Sequence, residues 1–130
     1  MRLADRQRDL PPPVNYDDSN VFARILRREI PALLLHEDHL CLAFADAAPK
    51  APVHFLVICK RKIACLADAD ESDKAVLGHL LWAAAEVARK QGIANDGFRV
   101  VINNGSEAGQ SVFHLHVHVL AGRSLGWPPG

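Results

Sequence analysis

At 130 residues, with 49% apolar and 23% charged side chains, the chain is long enough for one domain with a real core and too short for two. Fifteen basic and fifteen acidic residues cancel. With no basic stripe, electrostatic capture of nucleic acid or of a membrane surface is not expected, whereas a small anionic ligand needs only a few local donors.

The first 18 residues, "MRLADRQRDLPPPVNYDD", are polar, carry three consecutive prolines and show no periodicity. They read as a flexible arm, which leaves residues 19–130 as the domain. The arm lacks the apolar centre of a secretory signal, and Asp5, Asp9, Asp17 and Asp18 oppose an organelle presequence. The most apolar stretch, residues 75–87, is broken by His79 and Glu86, so no membrane-spanning helix is expected. Cys41, Cys59 and Cys65 form no C-x-x-C pair, which fits reduced thiols in the cytoplasm, or in the nucleus of a eukaryote.

Order is expected to begin at "SNVFARILRREIP". Ser19 or Asn20 can cap a helix whose Val21, Phe22, Ile25 and Leu26 share a face, and Pro31 stands just past its end. Three strand-like runs follow, "ALLLHEDH", "LCLAFAD" and "VHFLVICK", and their short connections favour antiparallel pairing. The segment "DADESDKAVLGHLLWAAAEVARKQG" begins with acids, ends in Arg89 and Lys90 and stops near Gly92, as a long helix would. Its expected packing stripe is Ala75, Leu77, Leu80, Leu81, Ala84, Ala85 and Val87. Two more strands, "GFRVVIN" and "SVFHLHVHVL", flank the Gly-rich loop "NNGSEAG". The sum is an α+β fold, a five-stranded antiparallel sheet with a long and a short helix on one face.

Within the last strand, His114, His116 and His118 alternate with aliphatic residues. Residues two apart share a face, so Phe113, Leu115, Val117 and Val119 are expected under the helices and the histidines on the uncovered face. Two such imidazoles, with His54 as a third donor, can approach one zinc ion. All three cannot, because they span about 13 Å along a strand while zinc–nitrogen bonds are about 2 Å long; no metal or other cofactor is expected. Phosphorus chemistry fits better. A neutral imidazole is a good nucleophile near pH 7, and His118, Asn103 and the loop amides between Gly105 and Gln110 can offset charge on phosphoryl oxygens. Ser111 or another histidine can pass a proton to the leaving group.

Other features have simpler readings. His36 and His39 in "LHEDHL" lack metalloprotease spacing and read as surface residues. His79 reads as a packing or dimer-face residue, Trp82 as an interface or core anchor, and Cys59 as a small packed side chain.

The run His114-Leu115-His116-Val117-His118-Val119-Leu120 resembles the signature of the histidine-triad (HIT) family, His-φ-His-φ-His-φ-φ with φ apolar. "FARILRREIPALLLHED", "APKAPVHFLVICKRKI", "GQSVFHLHVHVLAGR" and the terminal "WPPG" resemble segments of its Hint branch, in order, over about residues 20–130. The resemblance implies a purine nucleoside phosphoramidase that also hydrolyses aminoacyl adenylates such as lysyl-AMP. It implies a homodimer whose two sheets join into one of ten strands. His116 would be the nucleophile, His118 a phosphate contact, and His54 and His114 a hydrogen-bonded relay orienting His116. Asn103, Gly109, Gln110 and Ser111 would hold the phosphate, with Ser111 also serving the leaving group, and Val117 would add a nucleotide contact. Asp46 would grip the ribose hydroxyls, Phe22, Ile25, Phe44 and Ala47 would line the purine slot, and Trp127 would reach toward the partner subunit's site.

Strict alternation sets Ser111 on the buried face, so the strand must bend near Gly109 and Gln110 for Ser111 to act. Two departures stand out. Ala47 replaces the family's usual isoleucine and widens the slot, and "CKRKI" replaces its usual P-K-x-H-I at the exit of the third strand. A nucleotide-binding signalling protein and a zinc binder are the alternative readings.

Overall fold

The computed structural model describes residues 16–130; residues 1–15 of the expected arm lie outside the described residues. Of the arm's last residues, Tyr16 hydrogen-bonds His114, Asp17 accepts from Ser19, and Asp18 pairs with Lys62, so the packed structure reaches back at least to Tyr16.

Five strands, β1 (Leu34–Glu37), β2 (Cys41–Ala45), β3 (Val53–Cys59), β4 (Phe98–Val101) and β5 (His116–Ala121), form one antiparallel sheet in the order β1-β2-β3-β5-β4. Helix α1 spans Val21–Leu26 and α2 spans Lys74–Lys90. The fold class matches the sequence expectation.

Helix α1 is capped by Asn20, whose side chain accepts the Ala23 N–H at 2.9 Å. It stops after six residues, at the last residue of its apolar face, and Arg28 (φ +64°) turns the chain just beyond it. A reciprocal cap between Asp70 and Asp73 precedes α2. At the other end, Gly92 takes the left-handed conformation that closes helix C-termini.

The helices cover opposite faces of the sheet, not one face as expected. Residues Val76, Leu80, Ala83, Ala84 and Val87 of α2 pack on Cys41, Ala43, Phe55, Val57, Val117 and Val119. Phe22 and Ile25 of α1 pack on Leu42, Phe44, Leu56 and Ile58, the alternate residues of the same strands. β2 and β3 are therefore buried on both sides. The α2 stripe is also rotated from the expected one: Ala75 and Leu81 are exposed, while Val76, Ala83 and Ala88 are buried. Trp82 is half exposed and no core anchor. No helix among the described residues is long and apolar enough to cross a membrane.

Candidate active site

The histidines sit where β5 crosses beneath α1. Opposite residues of an antiparallel pair share a face. The β3–β5 register, Ile58↔His116 and Leu56↔His118, therefore sets both histidines on the α1 side with Leu56 and Ile58. Regular strand begins only at His116. Upstream the chain bends at Val112 and His114, Phe113 is exposed instead of packed under a helix, and Leu115 alone of that segment enters the α2-side core. Gly109 precedes the bend with φ +89°, a conformation that strains any residue with a Cβ. Ser111 is exposed and lines a surface cleft of about 360 Å³ with Asn20 and Val21, on the α1 side. The bend thus ends the strict alternation on which the parity conflict rested.

Hydrogen bonds define the tautomers. The backbone N–H of Lys50 donates to His54 Nδ1 at 3.0 Å, so a neutral His54 carries its proton on Nε2 and donates it to His118 Nδ1, also at 3.0 Å. His118 must then hold its own proton on Nε2. His116 Nδ1–H donates to the carbonyl of His114 at 2.6 Å, which leaves Nε2 of His116 unprotonated. His114 donates from Nε2 to the carbonyl of Cys59 at 2.7 Å and accepts the Tyr16 hydroxyl at Nδ1 at 2.6 Å.

The expected relay takes a different form. His114 orients His116 through its backbone carbonyl and not its ring, and His54 bonds His118 and not His116. Tyr16, which the sequence reading left in the arm, holds the far side of the His114 ring. No spacing rule points to a residue 98 positions away.

All four imidazoles are held below the usual histidine value, in each case chiefly by burial. For His118 the neighbouring His116 and His54 add to that effect and bring it to about 4. Near pH 7 the site therefore holds neutral rings: His116 offers a lone pair at Nε2, and His118, its ring centroid 5.0 Å away, offers an N–H. The edge of Phe22 rests on His116 at 4.9 Å between centroids.

Asp46 follows β2, with Oδ2 3.4 Å from His54 Nε2 and Oδ1 accepting the Ala48 N–H. Ala47 beside it is exposed. Phe22 and Ile25 of α1 are buried with Phe44 of β2. Asn103 is half-buried at the end of β4. Val117 is fully buried on the α2 side, so its side chain is a core residue and not a nucleotide contact. Trp127 is 81% exposed, with the Arg99 guanidinium 5.8 Å from its ring centre.

Gln110 is a loop staple, and its side chain is not free to hold phosphate. Its amide donates to the carbonyls of Ala64 and Val112, and its carbonyl accepts the Gly105 N–H at 2.7 Å. Replacing Gln110 with leucine is expected to lower stability by about 1–3 kcal/mol, because it strands buried backbone groups; urea unfolding at pH 7 measures the loss.

A model of the HIT domain matches residues 27–125. The chain belongs to the HIT family. An uncharacterised HIT-like protein of Synechocystis sp. is 56% identical over 113 residues, 87% of this chain and 98% of that one. A "14 kDa zinc-binding protein" of Zea mays is 47% identical over 116 residues, 88% of this chain and 90% of its own. The crystal structure of a HIT family hydrolase from Legionella pneumophila superposes with a TM-score of 0.84 at 41% identity, covering 86% of this chain and all of that one. In this HIT domain, then, the family's three histidines do unlike work. His114 is a fully buried support, His116 has a free ring nitrogen, and His118 is a partly exposed donor.

Proposed function

We propose that this HIT protein is a hydrolase of the Hint type, cleaving the P–N bond of adenosine or guanosine 5′-phosphoramidates and the acyl phosphate of aminoacyl adenylates such as lysyl-AMP. The observation that carries the reading is the commitment of the His116 Nδ1–H to the His114 carbonyl, which leaves Nε2 as the nucleophile. Nε2 attacks the α-phosphorus, the P–N bond breaks with its electron pair going to nitrogen, and Ser111 passes a proton to the departing amine. The nucleotidyl group is then joined to His116, whose Nδ1–H still holds the carbonyl. Water attacks phosphorus next and gives a proton back to Ser111, the P–N bond to His116 breaks with its electron pair returning to Nε2, and the nucleoside monophosphate leaves.

His118 Nε2–H offsets charge on a phosphoryl oxygen, with Asn103 and the amides of Gly109, Gln110 and Ser111 beside it. Asp46 takes the ribose hydroxyls, and the edge of the Phe22, Ile25 and Phe44 cluster meets the purine next to Ala47. The name of the Legionella relative agrees with hydrolysis in general. Among the described residues β4 leaves one edge of its sheet unpaired, and Val100 on it is exposed. That edge is where a second subunit would extend the sheet to ten strands, with Trp127 reaching toward the partner subunit's site.

The test is a rapid quench into alkali, where P–N bonds survive, of the protein mixed with an adenosine phosphoramidate. A burst of amine equal to the protein concentration, with AMP bound covalently to His116, is the expected result. Amine release with no covalent AMP at any time sinks the mechanism.

A zinc reading of the same site rests on Asp46, His54 and His118, whose donor atoms lie within 4.8 Å of one another, and on the name of the Zea mays relative. The fit is partial. A metal there must first break the 3.0 Å His54–His118 hydrogen bond. Phosphoramidase activity that survives exhaustive chelation separates catalysis from any such ion.

A further inference from the structure

On the other face of the sheet, against α2, a second group of imidazoles surrounds one carboxylate oxygen. His36 Nε2 and His79 Nε2 each lie 2.7 Å from Asp38 Oδ2. The second oxygen, Oδ1, is already taken by the backbone N–H groups of Leu40 and Cys41 at 2.8 and 3.0 Å. Burial pushes the Asp38 carboxyl up, but both imidazoles and these amides outweigh it and hold the group ionised well below the usual carboxylate range.

A β-bulge builds this arrangement. The β1–β2 register shifts between Leu34↔Phe44 and His36↔Ala43. Without the shift, Leu34 and His36 would share a face. With it, Leu34 stands opposite Phe44 of the α1 side and His36 opposite Ala43 of the α2 side, where His79 waits. Bulges re-aim single side chains next to functional sites. Trp82 lies against both rings, at 6.4 Å from His36 and 5.5 Å from His79 between centroids. The side chains of His36, Asp38 and His79 are 13%, 22% and 22% exposed, so the group is open to solvent ions.

We propose that His36, Asp38 and His79 form a second site, separate from the triad, that binds one divalent transition-metal ion of the zinc class. Two imidazole nitrogens and a carboxylate oxygen from three separate elements are a donor set typical of open zinc sites, with water in the fourth position. Binding requires a lone pair at Nε2 of each ring, with any ring proton on Nδ1, which no other described residue engages. Each ring nitrogen must draw back from Oδ2, from 2.7 Å to about 3.3 Å, and the two ring nitrogens must close to that same separation, set by tetrahedral bonds of about 2 Å. Side-chain rotation supplies that. The Cys41 thiol lies beneath, 3.6 Å from Oδ2, with its sulfur and donor atoms of His36 and Asp38 within 4.8 Å of one another. His39, exposed and with its ring 6.2 Å from His79, flanks the open side.

The experiment titrates the metal-free full chain with zinc alone, in competition with a chromophoric chelator, and repeats it on His36→Gln, His79→Gln and the double variant His54→Gln/His118→Gln. Circular dichroism confirms that each is folded. Quenching of Trp82 fluorescence by cobalt, in a Trp127→Phe background, reports on the site directly. One zinc per chain is expected, weakened at least about tenfold by either His36→Gln or His79→Gln, since losing a ligand costs no less than losing its outer support. The His54/His118 variant should bind as the parent does, and cobalt should quench Trp82 in the parent but not in His79→Gln. Folded protein that takes up no zinc overturns the site. So does binding untouched by His36→Gln and His79→Gln, or lost only in the His54/His118 variant. None of these readouts depends on phosphoramidate turnover.

Discussion

Replacing His116 with alanine is expected to lower kcat on an adenosine phosphoramidate by about 10⁴-fold or more, the scale of losing a nucleophile that acts within a set. His116 is 6% exposed and sits against the Phe22 ring, so truncation also strands the His114 carbonyl that its Nδ1–H satisfies. That orphaned acceptor costs about 1–3 kcal/mol, and stability must be controlled separately. His116→Asn does so, because its side-chain amide can still donate to the carbonyl while offering no nucleophilic nitrogen. Both variants should lose turnover and the covalent nucleotide alike, and the asparagine variant should retain more of the parent's resistance to urea. His54→Gln should lose less activity than either, since His54 bonds to His118 and not to the attacking ring. Turnover above about one hundredth of the parent in His116→Asn would place the nucleophile elsewhere.

What was legible follows from how local each feature is. The alternation of β5 placed His116 and His118 on one face and Val117 and Val119 on the other, because pleating alone determines it. It failed at Phe113, where a bend delays the start of the strand to His116. The glycine at position 109 marked that bend, and the apolar pattern hid it. The side of the sheet taken by α1 was misread although a cue was present. "FLVIC" (Phe55–Cys59) is continuously apolar, and a strand buried on one face alternates, so an unbroken run signals cover on both. The contacts of His114 with Tyr16, and of His79 with Asp38, join residues 98 and 41 positions apart. Those contacts follow from packing and register, including the β1 bulge, and no spacing in the sequence encodes them.

Acidification from pH 7 to pH 4 is expected to destabilise the fold steadily, across the range where free histidines titrate. His54, His114 and His116 are buried as neutral rings and held below their usual value by that burial, and His118 is brought to about 4. In the unfolded chain each returns to about 6.5. Between those values the unfolded state binds more protons than the folded one, so unfolding free energy falls as pH falls. The stability these rings contribute is complete above about pH 6.5, and the part from His118 is fully lost only once pH has passed its folded value of about 4. Each ring contributes a slope of at most about 1.4 kcal/mol per pH unit. Urea unfolding at half-unit intervals from pH 7 to 4.5 should give a slope of more than one proton, reduced by up to one in His118→Gln. A flat profile over that range would mean that the rings are not buried neutral. The same neutrality governs the rate: kcat/KM should stay level below pH 6.5 and fall only as His116 protonates. An acid limb centred at or above the ordinary histidine value would contradict the burial that prepares Nε2 for attack.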